Sequence, residues 1–158
     1  MKKTFSILCS ILLVGILSTA CKQDLTFDQY AHTPIAGWEK NDALFFDIPP
    51  CATGGIYQEE LGLRITGAYP FMGLTLIVQQ TIYPDKTVRT DTVNCRLIDQ
   101  NGKTTGQGIS YYQYNFPLCI QHLNKGDSIH VAVRHDMKRE IMPGISDIGL
   151  KMFLVQAK

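Results

Sequence analysis

The residue best placed to carry a chemical modification is Cys21. Lys2 and Lys3 precede a nearly continuous apolar run from Phe5 to Leu17, and the small residues Ser18, Thr19 and Ala20 lead directly into the cysteine. A basic head, an apolar stretch and small residues before a cleavage point make a secretory signal peptide. A thiol directly after them can take a diacylglyceryl group, with cleavage between Ala20 and Cys21. The apolar run is shorter than the roughly 20 residues of a membrane-spanning helix. Ser18 stands where a lipobox usually has leucine, and Leu17 lies one step earlier. Cleavage without lipid, a spanning helix and a buried helix of the domain are therefore the alternatives weighed against lipidation. Stable membrane attachment takes about two lipid signals, and a lipidated N-terminal cysteine carrying palmitate-type chains supplies them. The expectation is an anchor in the cell envelope, in the outer rather than the inner membrane. Residues 1–20 read as a lipoprotein signal peptide, 21–36 as the lipidated cysteine and a polar tether, and 37–158 as the folded domain.

The other reactive side chains form no familiar constellation. His130 and His135 are five apart, so a regular strand points them to opposite faces. His32 falls in the tether region and His122 is read in a loop; all four histidines are expected to be solvated or locally hydrogen-bonded. Glu59 and Glu60 are adjacent and also face opposite ways, which gives no glycosidase pair by themselves. Gly102, Gly106 and Gly108 precede no helix, so they read as a mobile loop rather than a phosphate cradle. Cys51, Cys95 and Cys119 remain after Cys9 leaves and Cys21 is lipidated, so at most one disulfide can form. No CxxC or Cys–His spacing points to a metal, and buried unreactive thiols are the default. Two apolar–polar features could meet a partner or ligand. One is Trp38, which otherwise clamps the start of the domain. The other is the aromatic stretch with Tyr111, Tyr112, Tyr114 and Phe116, where alternation would bury two rings and leave two wet. No catalytic residue, metal or cofactor is indicated, and the chain reads as a non-enzyme.

The elements that must position these residues are strands. The chain has 158 residues, 45% of them hydrophobic and 18% charged, which suits one globular domain. The 15 basic and 14 acidic residues leave a net charge of +1, which provides no nucleic-acid footprint. Apolar residues alternate at Leu44–Ile48, Leu61–Ile65, Ile129–Val133 and Ile148–Leu154, the period of a half-buried strand. Leu74–Ile82 and Val88–Ile98 flank Tyr83-Pro84-Asp85-Lys86 and read as an antiparallel hairpin. Asp99-Gln100-Asn101-Gly102 and Asn124-Lys125-Gly126-Asp127 are further turns. About seven strands without helices predict an all-β, single antiparallel β-sandwich domain.

Four stretches of this chain resemble the gliding-motility lipoprotein H (GldH) family of Bacteroidota-type bacteria. They are Asp28-Gln29-Tyr30 with Gly37-Trp38-Glu39-Lys40-Asn41-Asp42, then Tyr69-Pro70-Phe71-Met72-Gly73-Leu74, then Gly106-Gln107-Gly108. The fourth is His135-Asp136-Met137-Lys138-Arg139 with Gly144-Ile145-Ser146-Asp147-Ile148-Gly149-Leu150. The resemblance implies a membrane-anchored envelope lipoprotein. It further implies an accessory or assembly role in a motility or secretion machine, with envelope proteins as partners and no enzyme activity or cofactor. From the residues alone, a surface glycan- or ligand-binding lipoprotein is the other reading. Physically, the last motif reads as a structural link. Pro143-Gly144 supplies a turn, Asp147 is placed to accept backbone N–H groups, and Gly149 marks a close approach; a partner surface is its alternative.

Overall fold

The computed structural model describes residues 24–158, so Cys21 and the signal peptide read over residues 1–20 lie outside the described residues. The described residues form ten strands: β1 (Asp24–His32), β2 (Trp38–Glu39), β3 (Leu44–Ile48), β4 (Gly55–Thr66), β5 (Gly73–Tyr83), β6 (Thr87–Arg96), β7 (Tyr111–Leu123), β8 (Ser128–His135), β9 (Ile141–Met142) and β10 (Ile145–Ala157). They form two four-stranded sheets, β1-β10-β4-β7 and β3-β8-β5-β6, with β2 and β9 as a small third pair. Every pairing is antiparallel. The expected all-β antiparallel sandwich is what the chain forms.

The alternation read from the sequence decides which residues meet between the sheets. Leu61, Leu63, Ile148, Leu150 and Met152 from the first sheet share one buried cluster with Leu74, Leu76, Val78, Val131 and Val133 from the second. Fully burying a side chain of this size contributes about 1.5–3 kcal/mol. The β5–β6 hairpin forms where it is expected, with a cis Tyr83–Pro84 bond and Lys86 at φ +57°. Asp99 Oδ1 accepts the N–H groups of Asn101 and Lys103 at 2.8 and 2.9 Å, and Gly102 takes φ +77°, so the second predicted turn is built as read.

The structure corrects the tether. Residues 24–32 are not a free link but strand β1, which pairs along its length with β10. Its sequence, DLTFDQYAH, hides this because an edge strand with a wet outer face needs few apolar residues. Between Cys21 and the sheet only Lys22 and Gln23 intervene. His122 is likewise corrected: it lies in β7, not in a loop.

The strands run between two poles. At the near pole, β1 begins and the turns after β3, β5 and β7 gather with the C-terminus. There Cys51 N–H donates to Asp127 O, Gly126 N–H to Cys51 O and Lys158 N–H to Gly54 O, at 2.8 to 2.9 Å. At the far pole lie the connections β1–β3, β4–β5, β6–β7 and β8–β10.

Candidate functional site

The far pole is assembled around Trp38. This residue pairs with Met142 across β2 and β9, and both side chains are fully buried. The indole N–H donates to the Asp42 carbonyl at 2.8 Å and closes the turn behind it. His135, at the end of β8, is also fully buried. Its Nε2 lies 3.1 Å from the Trp38 carbonyl, and its ring meets the indole edge-on at 5.3 Å. A carbonyl can only accept, so Nε2 carries the proton; Nδ1 is then free to accept Met137 N–H at 3.4 Å. Accepting from Met137 requires the neutral ring, whereas Nε2 donates to Trp38 in either form. Burial pushes the pKa of His135 below its ordinary value, and the Lys40 ammonium acts in the same direction.

The next two residues carry the β8–β5 pairing past its end. Asp136 N–H donates to Thr75 O at 2.8 Å, and Thr75 N–H points to the Met137 sulfur at 3.4 Å. The chain then reaches Gly144, where φ is +76° and a Cβ would come within 2.5 Å of Tyr69 N. Gly144 O accepts Thr66 N–H at 2.8 Å, which locks the β4–β5 connection to the turn before β10. Tyr69 in turn donates its hydroxyl to Gly73 O at 2.9 Å and packs against Phe71.

The Gly-rich loop carries backbone and side-chain hydrogen bonds to the domain. Gln107 and Gln113 exchange backbone hydrogen bonds at 3.0 and 2.9 Å. Gly106 lies under the Tyr114 ring, where a Cβ would come 2.5 Å from Cζ. The Tyr114 hydroxyl reaches Thr104 Oγ1 at 2.7 Å.

These contacts relocate the candidate surface. Trp38 and Tyr114 are buried and hold the pole together, so neither presents a ring to a partner. Tyr112 shares the inward face with Tyr114 and is half-buried, and Tyr111 alone of the three stands exposed. The exposed apolar side chains at this pole are instead Ile35, Met72, Ile109, Tyr111 and Ile141. Beside Met72 runs an open groove of ≈ 670 Å³, bounded by Leu74, Asn94, Arg96, Asp99 and Met137. Methionines at both walls make an adaptable, polarizable lining. Sequence reading missed this groove because Met72 and Met137 lie 65 positions apart.

No catalytic arrangement appears among the histidines and carboxylates of the described residues. His130 Nδ1 meets Asp47 Oδ1 at 2.6 Å on the outside of the second sheet. His32 Nδ1 contacts Asp147 Oδ1, and Ser146 donates its hydroxyl to Asp147 Oδ2 at 2.7 Å. Asp147 thus takes side-chain partners in β10, not the loop N–H groups expected of it. Among the described residues, no three His, Cys, Asp or Glu side chains converge on a metal position.

Glu59 and Glu60 do face opposite ways. Glu59 is fully buried between the sheets, where Gln80 donates to Oε2 and Gln121 to Oε1. Burial raises its pKa, against the pull of those two amides. Cys51, Cys95 and Cys119 are buried and unpaired.

A further cluster lay outside the sequence reading. On the outer face of the first sheet, the Tyr30 ring covers Gly62 and Gly149, which are directly opposed in β4 and β10. The Arg64 guanidinium sits 3.9 Å from the ring centroid, and Gln113 Nε2 reaches the Tyr30 hydroxyl at 3.3 Å. The close approach expected at Gly149 is therefore real, and its occupant is Tyr30.

Comparison with known proteins bears on this arrangement. Residues 25–152 match the family model described as GldH lipoprotein. The chain is 28% identical over 154 residues to the gliding motility lipoprotein GldH of Flavobacterium johnsoniae, covering 90% of this chain and 92% of that one. Among solved structures, the globular domain of zebrafish complement 1qA is similar at TM-score 0.43 and 16% identity, over 87% of this chain and 100% of that one. A family 35 carbohydrate-binding module from Clostridium thermocellum is similar at TM-score 0.41 and 9% identity, over 84% and 97%. Likeness at those scores carries no functional information.

Proposed function

The chain belongs to the GldH lipoprotein family, and from that premise we propose that it is a non-enzymatic accessory component of an envelope motility or secretion machine. In this reading lipid on Cys21 anchors it to the outer membrane, and the far pole faces a protein partner. One observation supports the division of labour. Apart from Asp28-Gln29-Tyr30, every stretch that carries the family resemblance reaches the pole opposite the Cys21 link. Strand β4, which runs from one pole to the other, spans 12 residues, so the sandwich is a spacer of roughly 40 Å. Its length holds the Met72–Met137 groove away from the bilayer, where a second envelope protein can reach it. The motif residues brace the loops from within, and the exposed side chains between them make the contact. An apolar patch bounded by polar residues is the usual form of such a surface.

The test is photo-crosslinking in native membranes from a reactive residue at Met72, with Cys21→Ala as the control. The expected result is a crosslinked motility or secretion protein, lost with the anchor, and impaired surface motility or secretion in a Met72→Lys, Ile109→Lys chain that still folds. A crosslinking profile without any envelope protein would count against the reading. Membrane fractionation locates the anchor; recovery in the inner membrane would overturn its outer-membrane placement.

A further inference from the structure

The outer face of the first sheet changes character along its strands. Across its middle run Asp28, Lys151 and Glu60, in register, with Lys151 Nζ 3.8 Å from Asp28 Oδ2. One step towards the near pole, the row reads Leu25, Phe153, Gln58 and Ile120 across all four strands. Ile56 stands on the same face two residues beyond Gln58. Ile120 is 65% exposed and Leu25 53% exposed, so this is an open apolar patch on a sheet face that none of the described residues covers.

The position of the patch identifies what covers it. Cys21 lies three residues before Asp24, and three residues reach at most about 10 Å. A lipid on Cys21 therefore draws the near pole to the headgroup layer, and the apolar rows are the part of the sheet face closest to it. We infer that this patch rests in the interfacial layer of the bilayer, seating the near-pole end of the first sheet there rather than letting the domain swing on a tether. The inference rests on lipidation of Cys21. Apolar contact, not charge, drives it: Lys86, Lys125 and Lys158 at this pole stand beside Asp24, Asp85 and Asp127. Interfacial binding of this kind scales with buried apolar area, so it needs no anionic lipid.

The test uses the full lipidated chain in phosphatidylcholine vesicles. An environment-sensitive fluorophore is placed at Ile120→Cys or, as far-pole control, at Lys138→Cys; the native thiols of the domain are buried and stay unlabelled. The expected result is a blue-shifted emission at 120, quenched several-fold more than at 138 by lipid-borne spin labels and unchanged at high salt. An aqueous emission at 120, with lipid on Cys21 verified by mass spectrometry, would overturn the inference alone. Absence of lipid there would overturn the anchoring reading and this inference with it. Shielding at 120 that follows protein density and ignores the lipid quencher would assign the patch to a second copy of the chain, also overturning it.

Discussion

His135 Nε2 donates to the Trp38 carbonyl at 3.1 Å while the same ring packs edge-on against the Trp38 indole. One residue thus ties the end of β8 to β2, and through Met137 to β5. His135→Ala removes the ring's hydrogen bond to the Trp38 carbonyl and opens a cavity beside the indole. The expected cost is about 2–4 kcal/mol, measured by urea unfolding. The pH dependence has a definite sign. Burial holds the folded-state pKa below the ordinary value of 6.5. The neutral ring therefore contributes stability that is present above pH 6.5 and lost as pH falls through the folded-state pKa. A His135→Gln chain, which keeps a donor but cannot titrate, should lose less stability than the wild type between about pH 7 and pH 5. Parallel curves for the two would show that the ring is not the titrating group.

Tyr30 over Gly62 and Gly149 makes a second prediction, this time of coupling. A Cβ at Gly149 would lie 2.5 Å from Tyr30 Cε1, so Gly149→Ala must displace the ring and its contact with Arg64. The expected cost is about 1–3 kcal/mol. In a Tyr30→Ala background the space is empty, and alanine suits a strand better than glycine. There Gly149→Ala should cost little or stabilise, giving an interaction energy of about 1 kcal/mol or more in a double-mutant cycle. Additive costs would mean that the glycine serves the backbone and not the ring.

What could be read in the sequence followed from period and turn chemistry. The strands with one dry face announced themselves because every second residue is apolar, as at Leu61-Leu63-Ile65 and Ile129-Val131-Val133. Turns such as Asp99–Gly102 carry their own hydrogen-bonding residues, so they too were legible. Strand β1 was not, since an edge strand is held by backbone pairing with β10 and shows no clean alternation. Pairs β2 and β9 are two residues long and leave no periodic trace. The candidate groove was invisible for a different reason: its walls come from Met72, Arg96 and Met137, which only the sheet topology brings together. Trp38 was read with two roles open, and burial selects the clamp.

The three thiols in the described domain should be silent until the fold opens. Burial pushes the Cys95 and Cys119 thiols up to about 12 and raises Cys51 as well. The thiolate is the reactive form, so neither access nor ionisation favours attack. Reaction with a chromogenic disulfide at about pH 8 should release almost no thiol from the native domain and three equivalents from this region in denaturant. Reductant should leave the melting temperature unchanged, because the three cysteines are unpaired. A reductant-sensitive melting transition would mean that two of them pair.

Glu59 is a carboxyl held fully inside the sandwich, and it titrates with the opposite sign to His135. Burial raises its folded-state pKa above the ordinary 4.5; Gln121, Gln80 and the field of Arg89 oppose the shift without cancelling it. A raised carboxyl pKa contributes stability that is complete below pH 4.5 and lost as pH rises through the folded-state value. Glu59→Gln keeps the shape and removes the charge. It needs one neighbouring amide to turn and accept, which Gln80 and Gln121 can do because they already meet at 3.3 Å. The variant should therefore melt above the wild type at about pH 7 and close to it at about pH 4.5. Glu59→Ala instead strands both amides around a void and should lower the melting temperature at either pH. Because His135 is present both in the wild type and in the Glu59→Gln chain, its contribution drops out of their difference. A difference that stays flat from about pH 4.5 to 8 would show that folding leaves the Glu59 pKa where it is in the unfolded chain, its hydrogen bonds to Gln80 and Gln121 holding the carboxylate as well as water does.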